Sequence, residues 1–150
     1  MDEELIFDEY VDDGKGMFVG YQLFNDVGIS NYVDCKIEIY TNNIKSKQKS
    51  VGQYFLKKVD LEFDDDIVDL IALLEIIDTG YSMKGCDFMA YKNTVDMLLK
   101  SYSDSSFEKI VKAIRFKYST IKQLSELLEA NGIDNNCIDT FENTYKNSIR

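Results

Sequence analysis

The chain has 150 residues, 45% hydrophobic and 13% aromatic, enough to bury a packed core in one domain spanning 1–150. Its formal net charge is −10, and it contains no histidine, proline or tryptophan. A Ser-His-Asp triad, a Cys-His pair and any histidine-ligated zinc or iron site are thereby excluded.

Residues 4–11 read as a first strand. Asp12-Asp13-Gly14 follows as a hairpin signal, and 17–24 as the returning strand. Residues 32–41 alternate, with Val33, Cys35, Ile37 and Ile39 on one side and Asp34, Lys36, Glu38 and Tyr40 on the other. A lysine-rich connection through Lys45, Lys47 and Lys49 leads to a fourth strand over 53–63, where Val59, Leu61 and Phe63 point inward.

Asp64-Asp65-Asp66 predicts a helix cap, because carboxylates accept from free N–H groups at the positive end of the dipole. The helix over about 66–78 is apolar almost all round, relieved by Asp66, Asp69 and Glu75, and is expected between the sheet and the later helices. Helical spacing recurs at 87–102. Ser105-x-x-Glu108 and Thr120-x-x-Gln123 read as capping boxes, and Asn131-Gly132 as a C-cap. A last helix at about 135–148 places Ile138, Phe141 and Tyr145 on one stripe. Strands over about 4–63 before helices over about 65–148 predict an α+β fold. Its expected form is a four-stranded antiparallel meander packed against about five C-terminal helices.

The charge is unevenly distributed. Residues 1–34 carry −8, 35–59 carry +5, 60–80 carry −8 and 81–150 carry +1. Soluble proteins use such acids for solvation. The sharper expectation is a partner-binding surface made of Asp8, Glu9, Asp12 and Asp13 with Asp60, Glu62, Asp64 and Asp65. So negative a field repels nucleic acid, which needs cationic contacts to displace counterions. It suits instead the basic groove of a protein that handles nucleic acid. An inhibitor of the anti-CRISPR or toxin-immunity kind fits this pattern. A general interaction or assembly module using the ten tyrosines is the alternative, followed by a carboxylate- and Mg²⁺-dependent enzyme. Scarce Ala and Gly with abundant Asp, Asn, Ile, Lys and Tyr fit a gene poor in G and C, as in some bacteria, their phages and large DNA viruses.

Other motifs are weak. The calcium-loop pattern fails around Gly14, where Val11 and Gly20 fall in ligand slots. Asp60, Glu62 and Asp64 alternate as Mg²⁺ ligands do, but also as a solvated strand edge does. Asp34-Cys35-Lys36, with Asp26 upstream, is a short match to a nuclease pattern. Thr120 to Lys146 spaces its glycine too late for a DNA-reading helix pair, and its second helix carries Asp139 and Glu142. Phosphate-binding glycine loops and nucleophile elbows are absent from the sequence, and no cofactor is implied. Cys35, Cys86 and Cys137 form no Cys-x-x-Cys and read as buried reduced thiols. The acidic N-terminus lacks the basic start of a signal peptide, so a cytoplasmic location without membrane association is expected.

Overall fold

The computed structural model describes residues 3–148, and side chains as far as residue 143. In chain order the elements are α1 (Glu3–Tyr10), β1 (Gly16–Val19), α2 (Gly20–Asp26), β2 (Ile37–Thr41), β3 (Gln48–Val51) and β4 (Tyr54–Lys58). The helices α3 (Asp65–Thr79), α4 (Phe88–Leu99), α5 (Asp104–Ala113), α6 (Tyr118–Ala130) and α7 (Asn136–Ser148) follow. A 3-10 turn at Gly80–Ser82 links α3 towards α4.

The fold is α+β, but the sheet is mixed, in the order β1-β2-β4-β3. β1–β2 and β3–β4 are antiparallel, whereas β2–β4 is parallel. An antiparallel meander is therefore not formed. The lysine-rich connection supplies its own edge strand, β3, and the chain turns back through Gly52-Gln53 into β4 between β2 and β3. Gly52, at φ 59, opens this two-residue turn as tight hairpins require. Among the described residues there are seven α-helices rather than about five, because α1 precedes the first strand and α2 lies between β1 and β2.

The first extra helix is α1, where a strand was expected. Ile6 and Tyr10, one helical turn apart, are buried, while Leu5 and Phe7 face solvent. Glu3 and Glu4 in its first turn complement the dipole. Asp12-Asp13-Gly14 is consequently a helix-to-strand turn, with Asp13 at φ 58 and Gly14 at φ 75. A methyl group on Gly16 would collide with the carbonyl oxygens of Tyr10 and Tyr40, so only glycine lets β1 approach so closely. The second extra helix, α2, cuts the expected strand 17–24 short after Val19, and its Leu23 and Phe24 enter the core.

β2 begins only at Ile37. Val33 is 81% exposed and Cys35 is exposed, so the inward alternation there fails. Cys86 and Cys137 are half-buried, and all three thiols are free. Beyond β4 the backbone leaves the sheet, yet Val59 and Phe63 still point into the core and Leu61 packs against it.

The sheet separates two clusters. A small one joins Ile6 and Tyr10 to Ile39, Ile44, Tyr54 and Leu56. The larger one is centred on α3, which packs on β1 and α2 and is wrapped by α4, α5 and α6. α7 closes the layer against α5 and α6, with Ile138 fully buried and Phe141 partly so. Tyr145, expected on that stripe, and Lys146 lie outside the described side chains.

Caps set the helix starts. Asp64 accepts a hydrogen bond from the Ile67 N–H (2.9 Å) and Asp87 one from Ala90 (3.1 Å). α5 is capped by Ser103, two residues before the expected Ser105, and α6 begins at Tyr118 rather than Thr120. The Thr120 hydroxyl donates instead to Asp78 (2.7 Å). Asn131-Gly132 ends α6, with Gly132 at φ 70. Asp64→Ala should lower unfolding stability by about 1 kcal/mol, measured by urea denaturation, because it leaves the Ile67 N–H without its cap. Among the described residues no helix is long and apolar enough to cross a membrane.

Candidate functional site

Two acidic segments distant in sequence meet at the Thr41 end of the sheet. The Phe63 N–H donates to the Gly14 carbonyl (3.1 Å). The Asn42 side-chain amide donates to both Gly14 O (3.1 Å) and Leu61 O (2.6 Å). The Glu62 carboxylate hangs over the turn, so that a methyl on Gly14 would stand 2.5 Å from its Oε1. Asp12 and Asp13 are thus adjacent to the segment bearing Asp60 and Glu62, and Asp64 and Asp65 follow at the start of α3. All eight acids are exposed.

They are not equivalent. Asp64 is committed to its cap. Asp60 lies 4.0 Å from the Lys58 ammonium. Asp8 and Glu9 sit in the last turn of α1, where Lys15 Nζ donates to Asp8 O (2.7 Å) and Asn43 to Glu9 O (2.8 Å). There they border the lysine-bearing connection, since Glu9, Lys45 and Lys49 line one depression. Among the described residues Asp12, Asp13, Glu62 and Asp65 form no ion pair within 4 Å.

Among the described residues no three acids or thiols converge to hold a metal ion, and Asp60, Glu62 and Asp64 do not meet as ligands. In the short nuclease-like match, Asp34 accepts weakly from the Lys36 N–H (3.4 Å), Lys36 pairs with Glu38 (3.7 Å), and Asp26 accepts from Gln22 (2.9 Å). These contacts are local turns and helix-surface pairs rather than a shared centre. In the Thr120–Lys146 segment, α6 and α7 pack on each other through buried Leu128 and Ile138.

Sequence reasoning missed a second polar centre. On the sheet face turned towards α3, register aligns Val19, Glu38 and Phe55, and likewise Met17, Tyr40 and Lys57. The Tyr40 hydroxyl donates to Glu75 Oε1 from α3 in a very short contact. Burial raises the Glu75 carboxyl from 4.5 to about 7. The Tyr40 hydrogen bond and Lys57 oppose that shift, while Asp78 and Glu38 add to it. Burial, with Glu75 beside it, pushes the Tyr40 phenol well above its ordinary range. This pair stands in the wall of a cleft of about 500 Å³ between the β3–β4 ribbon and the C-terminal half of α3. The available signal was a lone glutamate on an apolar helix: such a carboxyl needs a partner, and the sheet's polar face supplies it.

No protein-family model, curated protein or solved structure matches the chain.

Proposed function

We propose that the protein is a non-enzymatic inhibitor whose acidic surface covers the basic, nucleic-acid-handling face of a protein partner. Anti-CRISPR and toxin-immunity proteins act in this manner. The observation that carries the reading is the tie between Gly14 and the 61–63 segment, which places acids far apart in sequence side by side. Clustered carboxylates of this kind imitate a polyanion, and their attraction for a cationic groove steers encounter and weakens with salt.

The test starts with recovering a basic partner from host lysate at low salt. Its affinity is then compared with that for a variant carrying Asp12→Asn, Asp13→Asn, Glu62→Gln and Asp65→Asn. Asp64 is spared because its loss would unfold the cap. Asparagine also tolerates the left-handed backbone at position 13. The variant should bind about 10–100-fold more weakly at low salt, with a shallower salt dependence. Equal affinity, or affinity independent of salt, would sink the electrostatic reading.

A second reading is a general interaction module. It is favoured by an exposed apolar patch: the Tyr81 and Phe88 rings stack at 5.1 Å, and Met89 and Met97 stand out on α4. Binding through that patch would persist in high salt.

A further inference from the structure

We propose that the protein forms a two-fold homodimer in which the outward faces of two α4 helices pack antiparallel. The inference rests on the exposed patch of the second reading and commits that patch to a second copy of the chain.

The first support is apolar surface left open in one place. Tyr81 (58% exposed), Phe88 (56%), Met89 (61%) and Met97 (59%) all lie on α4 or in the 3-10 turn that leads to it. The Tyr81 ring centre is 5.1 Å from that of Phe88 and 4.4 Å from that of the buried Tyr91, which holds the exposed rings in place. A large apolar patch on a soluble surface marks contact with another molecule. α4 turns Tyr91, Thr94, Val95, Leu98 and Leu99 into the core. Helical spacing therefore sets Met89, Asn93, Asp96, Met97 and Lys100 on the outward stripe, with Lys92 at its edge.

Self-complementarity selects the occupant. Two antiparallel helices related by a two-fold axis bring residue i to j and, equally, j to i. With the axis level with Thr94, Lys92 stands opposite Asp96 of the second copy, and Asp96 opposite its Lys92. Phe88 comes level with Lys100 of the second copy, an ammonium beside an aromatic ring. Met89 lies within one turn of the other Met97. Lys92 and Asp96 are exposed, and among the described residues neither forms an ion pair within 4 Å.

Net charge agrees with the placement. A chain at −10 repels its own copy, so two copies must meet where the acids are fewest. Residues 81–150 carry only +1, and the stripe sets Lys92 and Lys100 against Asp96. A strongly basic partner gains little from so neutral a face and is drawn instead to Asp12, Asp13 and Glu62.

The experiment is sedimentation and light scattering of the full chain from about 1 to about 200 μM. The mass should double as concentration rises. Because salt screens the repulsion between copies, high salt should preserve the dimer, whereas it weakens a complex made through the acidic surface. Met89→Glu with Met97→Glu, at exposed positions that spare the core, should leave a folded monomer. Lys92→Asp should weaken association about tenfold, because it sets like charges against each other twice. Adding Asp96→Lys to Lys92→Asp should restore it, which damage to the fold would not allow. A monomer at the highest concentration overturns the dimer while leaving the patch open to another protein. A larger assembly, a dimer untouched by the methionine changes, or a double charge swap that fails to restore association would also overturn it.

Discussion

Replacing Leu73 by alanine should lower unfolding stability by about 2–5 kcal/mol and the melting temperature by roughly 5–15 °C. Leu73 is fully buried, as are Leu70, Ile71, Leu74 and Ile76 around the same helix. Most amphipathic helices hide one stripe; α3 hides nearly its whole circumference, because the β1–α2 layer lies on one side and α4, α5 and α6 on the other. A cavity at Leu73 is thus walled by several elements that cannot all relax into it. The same arrangement predicts one cooperative transition, since neither the sheet nor the helical layer keeps a closed core without α3. Far-UV dichroism and tyrosine fluorescence, the latter undisturbed by tryptophan, should report the same midpoint. A loss below about 1 kcal/mol, or two separated transitions, would contradict this account of the core.

Glu75→Gln should stabilise the protein at pH 8 by up to about 3 kcal/mol, while leaving stability near pH 4 almost unchanged. The sign follows from proton binding. The folded carboxyl titrates at about 7 and the unfolded one at its ordinary 4.5, so between those values the folded state holds more protons. The stability associated with the neutral acid is complete below pH 4.5 and is lost as pH rises through 7. The charge so created faces Glu38 from β2 and Asp78 from its own helix. Lys57 and the Tyr40 hydroxyl offset it only in part. Glutamine carries no such charge, yet keeps a carbonyl oxygen to accept the Tyr40 hydrogen bond. Urea midpoints of both proteins between pH 4 and 8.5 provide the check. A difference that stays flat with pH, or a variant weaker at pH 8, would refute the assignment. Tyr40→Phe should act in the opposite direction, destabilising by about 1–3 kcal/mol above pH 7, because it strips the carboxylate of its donor.

The two predictions share a cause in α3, whose apolar character was readable directly. A run such as Ile67-Val68-x-Leu70-Ile71 capped by Asp64 has one favourable outcome, a central helix, and the structure has it at Asp65–Thr79. The N-terminal segment was different. Glu-Leu-Ile-Phe-Asp-Glu-Tyr supports both periods: Leu5 and Phe7 alternate as a strand would, while Ile6 and Tyr10 lie a helical turn apart. A small cluster with Ile39, Tyr54 and Leu56 decides for the helix, and those residues lie far along the chain. The lysine-rich connection reads as a flexible hairpin tip, but the hairpin turn is Gly52-Gln53, just beyond it. Of its three lysines, Lys49 is an exposed residue of the edge strand β3, where lysine guards against unwanted pairing, and Lys45 and Lys47 lie in the bend before it.

The candidate acidic surface was legible in part. Charge segregation is a property of composition, but the proximity of Asp12 and Asp13 to Glu62 depends on Asn42 and Gly14, which no charge count reveals. Local sequence also determined that α3 would be central, that α6 would end at Asn131-Gly132, and that Val59 and Phe63 would point inward, because caps, turns and apolar spacing act over a few residues. Tertiary structure alone decided the mixed strand order, the helical state of residues 3–10, and the meeting of Tyr40 with Glu75 across the sheet face. Each of these is a choice between locally similar alternatives, settled by which distant surface is available to bury an apolar ring or to share a proton.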